Sequence, residues 1–314
     1  MKTLQKLILT PQTAGLSLQK IKSLKRKGTI TTLVRGAYID SATFAGLSQR
    51  EQETLKVLAC ASSLYPRLPV SHTSAALLVG LDLYKFDKAV HFRTAQRRDS
   101  KHKEIKLHFY QTPLISTYQD GVLITTIEDT ILDCAQSLPF HEALVIADSA
   151  LRKQLTTQDK LYTAFSLLSM RRNKNGMADV LENCTNISGS AGETLCRVAL
   201  AKAGLKHPVL QQCFDTKSGT FYTDFYFPDK KLIVEFDGDI KYSGAYGTPL
   251  DTIKQEKLRA EALADLGLRI VRFNWHEIHD PLKVINKLQA YFPEVRTRIT
   301  DSASYFFTPF GYLR

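Results

Sequence analysis

Asp224, within Tyr222-Thr223-Asp224-Phe225-Tyr226, and Glu235 and Asp237, within Leu232-Ile233-Val234-Glu235-Phe236-Asp237-Gly238, are acids at the ends of two apolar stretches. A carboxylate closing a hydrophobic strand is costly to half-bury alone, so three of them at neighbouring strand ends ask for a cation. Hard divalent cations take oxygen ligands, commonly one or two carboxylates together with substrate phosphates. The chemistry these residues could do is therefore phosphodiester hydrolysis with Mg²⁺ or Mn²⁺. Glu256 and Arg259 share a face of a predicted helix at a three-residue spacing, so Glu256 could join the metal shell and Arg259 reach the phosphate. An ordinary surface ion pair explains that spacing nearly as well.

Such a site needs a sheet whose strand ends meet. From Ser190 a helix is predicted through Ala203, closed by Gly204, and strands follow over 209–214, 220–227 and 231–237. A long helix over 250–265 leads past Gly267 into a strand over 268–274. The order α-β-β-β-α-β predicts a mixed sheet with helices packed on it, able to carry its acids at one edge. Arg269 and Arg272 face opposite ways in the last strand, so at most one points at substrate. Trp275 reads as packing more readily than as a wedge between bases.

Ahead of this region, Lys2, Lys6, Lys20, Lys22, Lys25, Arg26, Lys27 and Arg35 all precede Asp40, the first acid, in a chain of 314 residues and net charge +11. That asymmetry favours a polyanionic partner, and the lack of a lipid-facing amphipathic stretch favours duplex DNA over a membrane. Ser17 is placed to cap a helix through Lys27 that turns Leu18, Ile21 and Leu24 to one face; Gly28 ends it, and a hairpin is predicted over 29–33 and 36–39. A winged helix-turn-helix over 1–40 would set Lys20, Lys22, Lys25, Arg26, Lys27 and Arg35 against DNA. A solvated basic face is the plainer alternative.

Residues 45–170 mix helices with strands over 89–93, 106–110 and 122–125, and the loop bearing Arg97, Arg98, Lys101 and Lys103 could grip phosphate or simply be solvated. His72, in Ser71-His72-Thr73-Ser74, is a candidate catalytic base, but reads more readily as a helix cap or a buried hydrogen-bond partner because no second His, Cys or acid is close in sequence. Residues 171–176 read as a linker. Five scattered cysteines without a Cys-x-x-Cys point to a reducing compartment, and no signal segment or apolar run of about 18 residues is evident, so a cytoplasmic protein is expected.

The segment over 187–293 resembles the restriction-endonuclease-like superfamily, most nearly its branch related to very-short-patch-repair endonucleases. The likeness rests on Glu193-Thr194-Leu195-Cys196-Arg197, Thr223-Asp224-Phe225, Val234-Glu235-Phe236-Asp237-Gly238, Glu256-x-x-Arg259 and 266–273 followed by Trp275. It implies a metal-dependent nuclease in which Asp224 and Glu235 are ligands and Glu193 orients a metal-bound water or completes the shell. Ser190-x-x-Glu193 is equally a capping box. Where the superfamily usually has Lys, this chain has Asp237; Lys241 could supply the positive charge, and Asp237 would join the ligands. The branch's histidine-rich segment is missing from 239–244, so mismatch repair does not transfer.

The front two thirds resemble the AbiEi-type antitoxin and transcriptional-regulator family through Leu33-Val34-Arg35-Gly36-Ala37-Tyr38, Ser71-His72-x-Ser74-Ala75-Ala76-x-Leu78-x-Gly80-Leu81 and Thr126-x-Glu128-Asp129-Thr130-x-Leu132-Asp133. That likeness implies operator binding by the winged helix and a regulatory middle domain. The expected whole is an α+β multidomain protein: winged helix, mixed α/β middle domain, restriction-endonuclease-like αβββαβ core, and an aromatic tail over 294–314 that docks on its own chain or a partner. Two functions follow. One is a DNA endonuclease targeted by its winged helix, in defence or toxin–antitoxin biology; the other is a DNA-binding regulator or antitoxin with a non-catalytic nuclease-like domain. Partners are duplex DNA and a cognate toxin or a second copy.

Overall fold

The computed structural model describes residues 2–97, 99–110, 115–168, 173–205, 207–238 and 249–293, with backbone alone for 249–253. Lys241, Arg98 and the 294–314 tail lie outside them. The fold is mixed α and β, and the chain divides into two compact units, Met1–Ile146 with Thr156–Met177, and Ala147–Leu155 with Ala178–Arg314. No helix among the described residues is long and apolar enough to cross a membrane.

The first unit begins with α1 (Lys2–Gln5), α2 (Pro11–Ala14) and α3 (Leu18–Arg26), followed by β1 (Ile30–Val34) and β2 (Ala37–Asp40). Ser17 caps α3 by accepting the Lys20 N–H, and Gly28 ends it at φ +71°. The hairpin β1–β2 is antiparallel, and Leu9 exchanges two 2.8 Å hydrogen bonds with Tyr38, a single bridge onto β2. One face of α3 is less apolar than expected: Ile21 is buried and Leu24 half-buried, but Leu18 is 68% exposed, because the first turn of the helix extends past the core.

α4 (Ser41–Ala45), α5 (Gln49–Ser63) and α6 (His72–Leu78) follow, then β3 (Val90–Thr94), β4 (Ile105–Phe109), β5 (Ser116–Gln119) and β6 (Val122–Thr125). β3–β4 is a parallel pair and β5–β6 an antiparallel one. Between them lies Val70, which bridges Phe92 antiparallel and Ile124 parallel. Ile8, Val34, Ala37 and Ile39 share one hydrophobic core with Leu55, Leu58, Val70, Phe92 and Ile124, so residues 1–40 pack into the same unit as the elements after them.

α7 (Ile127–Ser137) is capped by Thr126, and α8 (Phe140–Arg152), α9 (Gln158–Ser166) and α10 (Lys174–Asn183) complete the helical stretch. The linker expected over 171–176 is in part helix. Met177, Val180, Leu181 and Cys184 recur at helical spacing and are all buried, while Asn173 donates toward the carbonyls of Ala135 and Gln136. Residues 171 and 172 are outside the described set.

The second unit contains α11 (Ala191–Lys202), β7 (Val209–Thr216), β8 (Gly219–Phe227), β9 (Leu232–Phe236), α12 (Pro249–Asp265), β10 (Arg269–Phe273), α13 (Trp275–Ile278) and α14 (Pro281–Leu288). The order α-β-β-β-α-β expected for this stretch is thus present. Its sheet runs β10-β9-β8-β7, with β9–β10 parallel and the other pairs antiparallel. Every residue of β9 is buried, as suits a central strand. Beneath it, Arg197 of α11 pairs at 2.6 Å with Asp148, whose other oxygen accepts the Thr185 N–H. α11 approaches β9 at Gly192, where a Cβ would overlap the Phe236 ring; only glycine permits that contact.

Candidate functional site

One step beyond the paired Phe225 and Val234 lie Asp224 on β8 and Glu235 on β9, and Arg272 of β10 is in register with Glu235. Three neighbouring strands therefore bring an acid, an acid and a guanidinium to one place. Asp224 Oδ2 accepts the Phe236 backbone N–H at 2.8 Å, and its Oδ1 lies 3.5 Å from Gln211 Nε2. Gln211 Nε2 also donates to Glu193 Oε2 at 2.9 Å. Glu193 in turn accepts the Gly189 N–H at 2.7 Å and the Ser190 hydroxyl at 3.0 Å, while Ser190 Oγ accepts the Glu193 N–H. The capping role of Glu193 is real, and the same carboxylate reaches the Asp224 neighbourhood through Gln211.

Glu235 is buried, and both its oxygens meet cations. Arg259, from α12, pairs with Oε1 and donates to the Tyr222 carbonyl; Arg272 Nε lies 3.3 Å from Oε2. Glu256 sits 4.0 Å from the Arg272 guanidinium. Burial pulls Arg272 down, but Glu235 by charge and hydrogen bond, then Glu256 and Asp237, carry it above its ordinary value. The carboxylate partner of Arg259 is thus Glu235 of β9, from a different element than its own helix. Arg269 faces the other way, 4.9 Å over Tyr291, and Trp275 packs edge-on against Phe236 at 4.8 Å. Cys196 lies under the network, its thiol driven well up by burial and then by Asp224 and Glu193.

Glu193, Asp224, Glu235, Asp237 and Glu256 therefore share one neighbourhood, threaded by Gln211, Arg259 and Arg272. Their oxygens do not converge on a single point. Among the described residues, the set of three His, Cys, Asp or Glu side chains whose ligand atoms lie within 4.8 Å of one another is His72, His91 and His108, in the other unit. The oxygen donors suit a hard dication such as Mg²⁺, but the two guanidiniums on Glu235 would have to turn aside for one to bind there. Gln211 was not legible as a site residue. It lies opposite Asp224, between the Leu210–Phe225 and Gln212–Thr223 pairs, with φ +49°, a left-handed backbone that a non-glycine residue holds at a cost of roughly 1–3 kcal/mol.

At the other end of the chain, Lys20, Lys22, Lys25, Arg26, Lys27 and Arg35 are all exposed, on α3 and the β1–β2 turn. Residues 17–40 therefore present a basic surface without an acid before Asp40, whose carboxylate is used as the α4 cap on Thr43.

His72 is a buried hydrogen-bond partner, as expected, but its meeting with His91 and His108 was missed. His72, a buried residue at φ +53°, stacks on His108 with ring centroids 3.7 Å apart. His91 Nδ1 lies 2.8 Å from His108 Nε2, and His91 Nε2 lies 2.9 Å from Asp87 Oδ2. Burial, then His91, Lys106 and Arg93, push the His108 imidazole down to about 4. Next to the rings, Arg93 pairs with both oxygens of Asp133 at 2.7 Å and with Asp129 at 2.9 Å, and Tyr110 donates to Asp133 at 2.7 Å. The available signal was the pattern of single histidines within apolar strands, His91 in β3 and His108 in β4.

Comparison with protein-family models and with curated proteins gives no match for this chain.

Proposed function

We propose that the protein is a DNA endonuclease of restriction-endonuclease-like fold, directed to duplex DNA by its N-terminal basic winged helix. The supporting observation is the assembly of Glu193, Asp224, Glu235 and Glu256 with Arg259 and Arg272 around the inner strands β8 and β9, where Asp224 lies within its strand and not at the strand end expected from the sequence. Metal-assisted phosphodiester hydrolysis uses hard oxygen ligands for the cation, and guanidiniums beside them can hold a phosphate in two-point contact. Asp224 and Glu235 would be the ligands, with Asp237 and Glu256 beside them. A dication held there would lower the pKa of a bound water and polarise the scissile phosphate.

The chain's own groups then have distinct tasks. Asp224 is steered by the Phe236 N–H and Gln211, which fix its orientation before substrate arrives. Arg259 and Arg272 neutralise the buried Glu235, and each is exposed enough (20% and 37%) to swing from carboxylate to phosphate. Glu193, tied by Gly189 and Ser190 to the start of α11, supports Gln211. The duplex would be gripped by Lys20, Lys22, Lys25, Arg26, Lys27 and Arg35 through phosphates.

One observation favours a second reading, a DNA-binding regulator or antitoxin of AbiEi type with a non-catalytic nuclease-like unit: Glu235 already has two cationic partners. A plasmid assay separates the two. Under the nuclease reading the full chain nicks or cuts duplex DNA with Mg²⁺ or Mn²⁺ and stops on chelation. Retention of the plasmid in a gel shift, uncut with either metal, would leave the regulator.

A further inference from the structure

We infer that His72, His91 and His108 form a binding site for a transition-metal dication of the Zn²⁺ class, separate from the carboxylates and independent of the nuclease reading. Their candidate ligand atoms lie within 4.8 Å of one another, and two of the three side chains are buried. Imidazole nitrogen is a ligand for Zn²⁺, Cu²⁺, Ni²⁺ and related ions, whereas Mg²⁺ and Ca²⁺ take oxygen.

The surroundings are those of a prepared ligand set. A metal-binding histidine commonly donates its other ring N–H to a carboxylate, which fixes tautomer and ring orientation. His91 does so: Nε2 is held by Asp87 at 2.9 Å, so the Nδ1 lone pair faces His108. Asp87 is itself oriented by the Ala89 N–H at 3.0 Å. His72 is positioned by its own neighbours, with Nδ1 2.9 Å from Ser71 Oγ and 3.6 Å from Asp133 Oδ2. Its left-handed backbone at φ +53° is a conformation that persists where the surroundings enforce it, and it carries the ring onto His108. Arg93 is paired with Asp133 and Asp129, which offsets most of the charge that it and Lys106 turn toward His108.

The geometry requires a small adjustment. Zn–N bonds near 2.0–2.1 Å place two tetrahedral donors about 3.3–3.4 Å apart, so the 2.8 Å His91–His108 contact opens by about 0.5 Å and the His72 ring tilts from its stack. Half-buried His108 lines a cleft of about 410 Å³ with His102 and Lys106, which gives the ion a way in. Three protein ligands leave a fourth position, the arrangement of a metal that also holds water or another small ligand.

Co²⁺, a spectroscopic stand-in for Zn²⁺, tests the site. The full-length chain, stripped with chelator and dialysed, should take up one Co²⁺ with the intense visible bands of a four-coordinate site of three imidazoles and one exchangeable ligand, and Zn²⁺ should erase them. Asp224→Asn should leave the bands intact, which separates this site from the carboxylates. His91→Gln and His108→Gln should abolish them, and Asp87→Asn should weaken binding by about 10–100-fold. Circular dichroism checks that each variant is folded; His108 is the safest position because it is only half-buried. A folded parent chain that shows no four-coordinate band in excess Co²⁺, or bands that survive both histidine substitutions, would overturn the site.

Discussion

The two polar centres, one in each compact unit, handle buried charge in opposite ways. In the second unit Glu235 is balanced by Arg259 and Arg272, both partly exposed, so its partners can exchange. In the first, Arg93 and Asp133 are 2% and 0% exposed and bonded through both oxygens, and the histidines beside them meet ring to ring. Each centre also spends backbone strain on one non-glycine residue, Gln211 or His72. The lesson is that a network of exchangeable ion pairs and a fully enclosed one can use the same residue types. What separates them is how easily the counter-charge can leave.

The comparison can be broken first by catalysis. Asp224→Asn or Glu235→Gln should lower plasmid cleavage on the order of 10³-fold, about 4 kcal/mol on the barrier, while duplex binding by gel shift is unchanged. Equal cleavage by parent and variants would move the chemistry elsewhere. Next in size, Asp133→Ala leaves buried Arg93 with Asp129 as its remaining carboxylate and should cost about 3 kcal/mol in urea unfolding, whereas Glu235→Gln should cost about 1 kcal/mol or less, since its arginines can turn to water. Similar losses for both would erase the distinction drawn between the two centres.

Gly192→Ala probes the packing under the carboxylates. Its Cβ overlaps Phe236, whose N–H holds Asp224, so a loss of about 1–3 kcal/mol is expected together with reduced cleavage. A variant as stable and active as the parent would show that the Phe236 ring yields freely. The smallest effect is at the basic helix: Lys22→Ala, Lys25→Ala and Arg26→Ala combined should flatten the slope of log binding constant against log salt by about 3, with stability unchanged. An unaltered slope would mean that DNA contacts another face.

Legibility in the sequence differed between the same two regions. The αβββαβ order was readable because Gly204 and Gly267 punctuate it and the apolar stretches are strand-length. The acids were readable because a carboxylate in an apolar strand is conspicuous. Their partners were not: the three-residue spacing suggests Glu256 for Arg259, yet the sheet brings Glu235, since tertiary contact outweighs a weak surface pair. Gln211 looked like one polar residue among several in β7. His72, His91 and His108 are spread over three elements and meet only through the parallel β3–β4 pairing and the arrival of α6 beside it, so the lone histidines in two apolar strands are the one local hint and their meeting is not readable. Leu18 misled because periodicity marks a helix face without saying how far the core beneath it extends.

Val70 carries a consequence for how the chain is made. Its N–H donates to the Leu123 carbonyl and its carbonyl accepts the Thr125 N–H, while Pro69 and Ser71 bond to Arg93 and His91 on the other side. A nascent polypeptide emerging from the ribosome can pair this segment with β3 early, but its second seam must wait until residue 125 has cleared the exit tunnel. His72 follows two positions later, so its surroundings are finished only when that late seam closes.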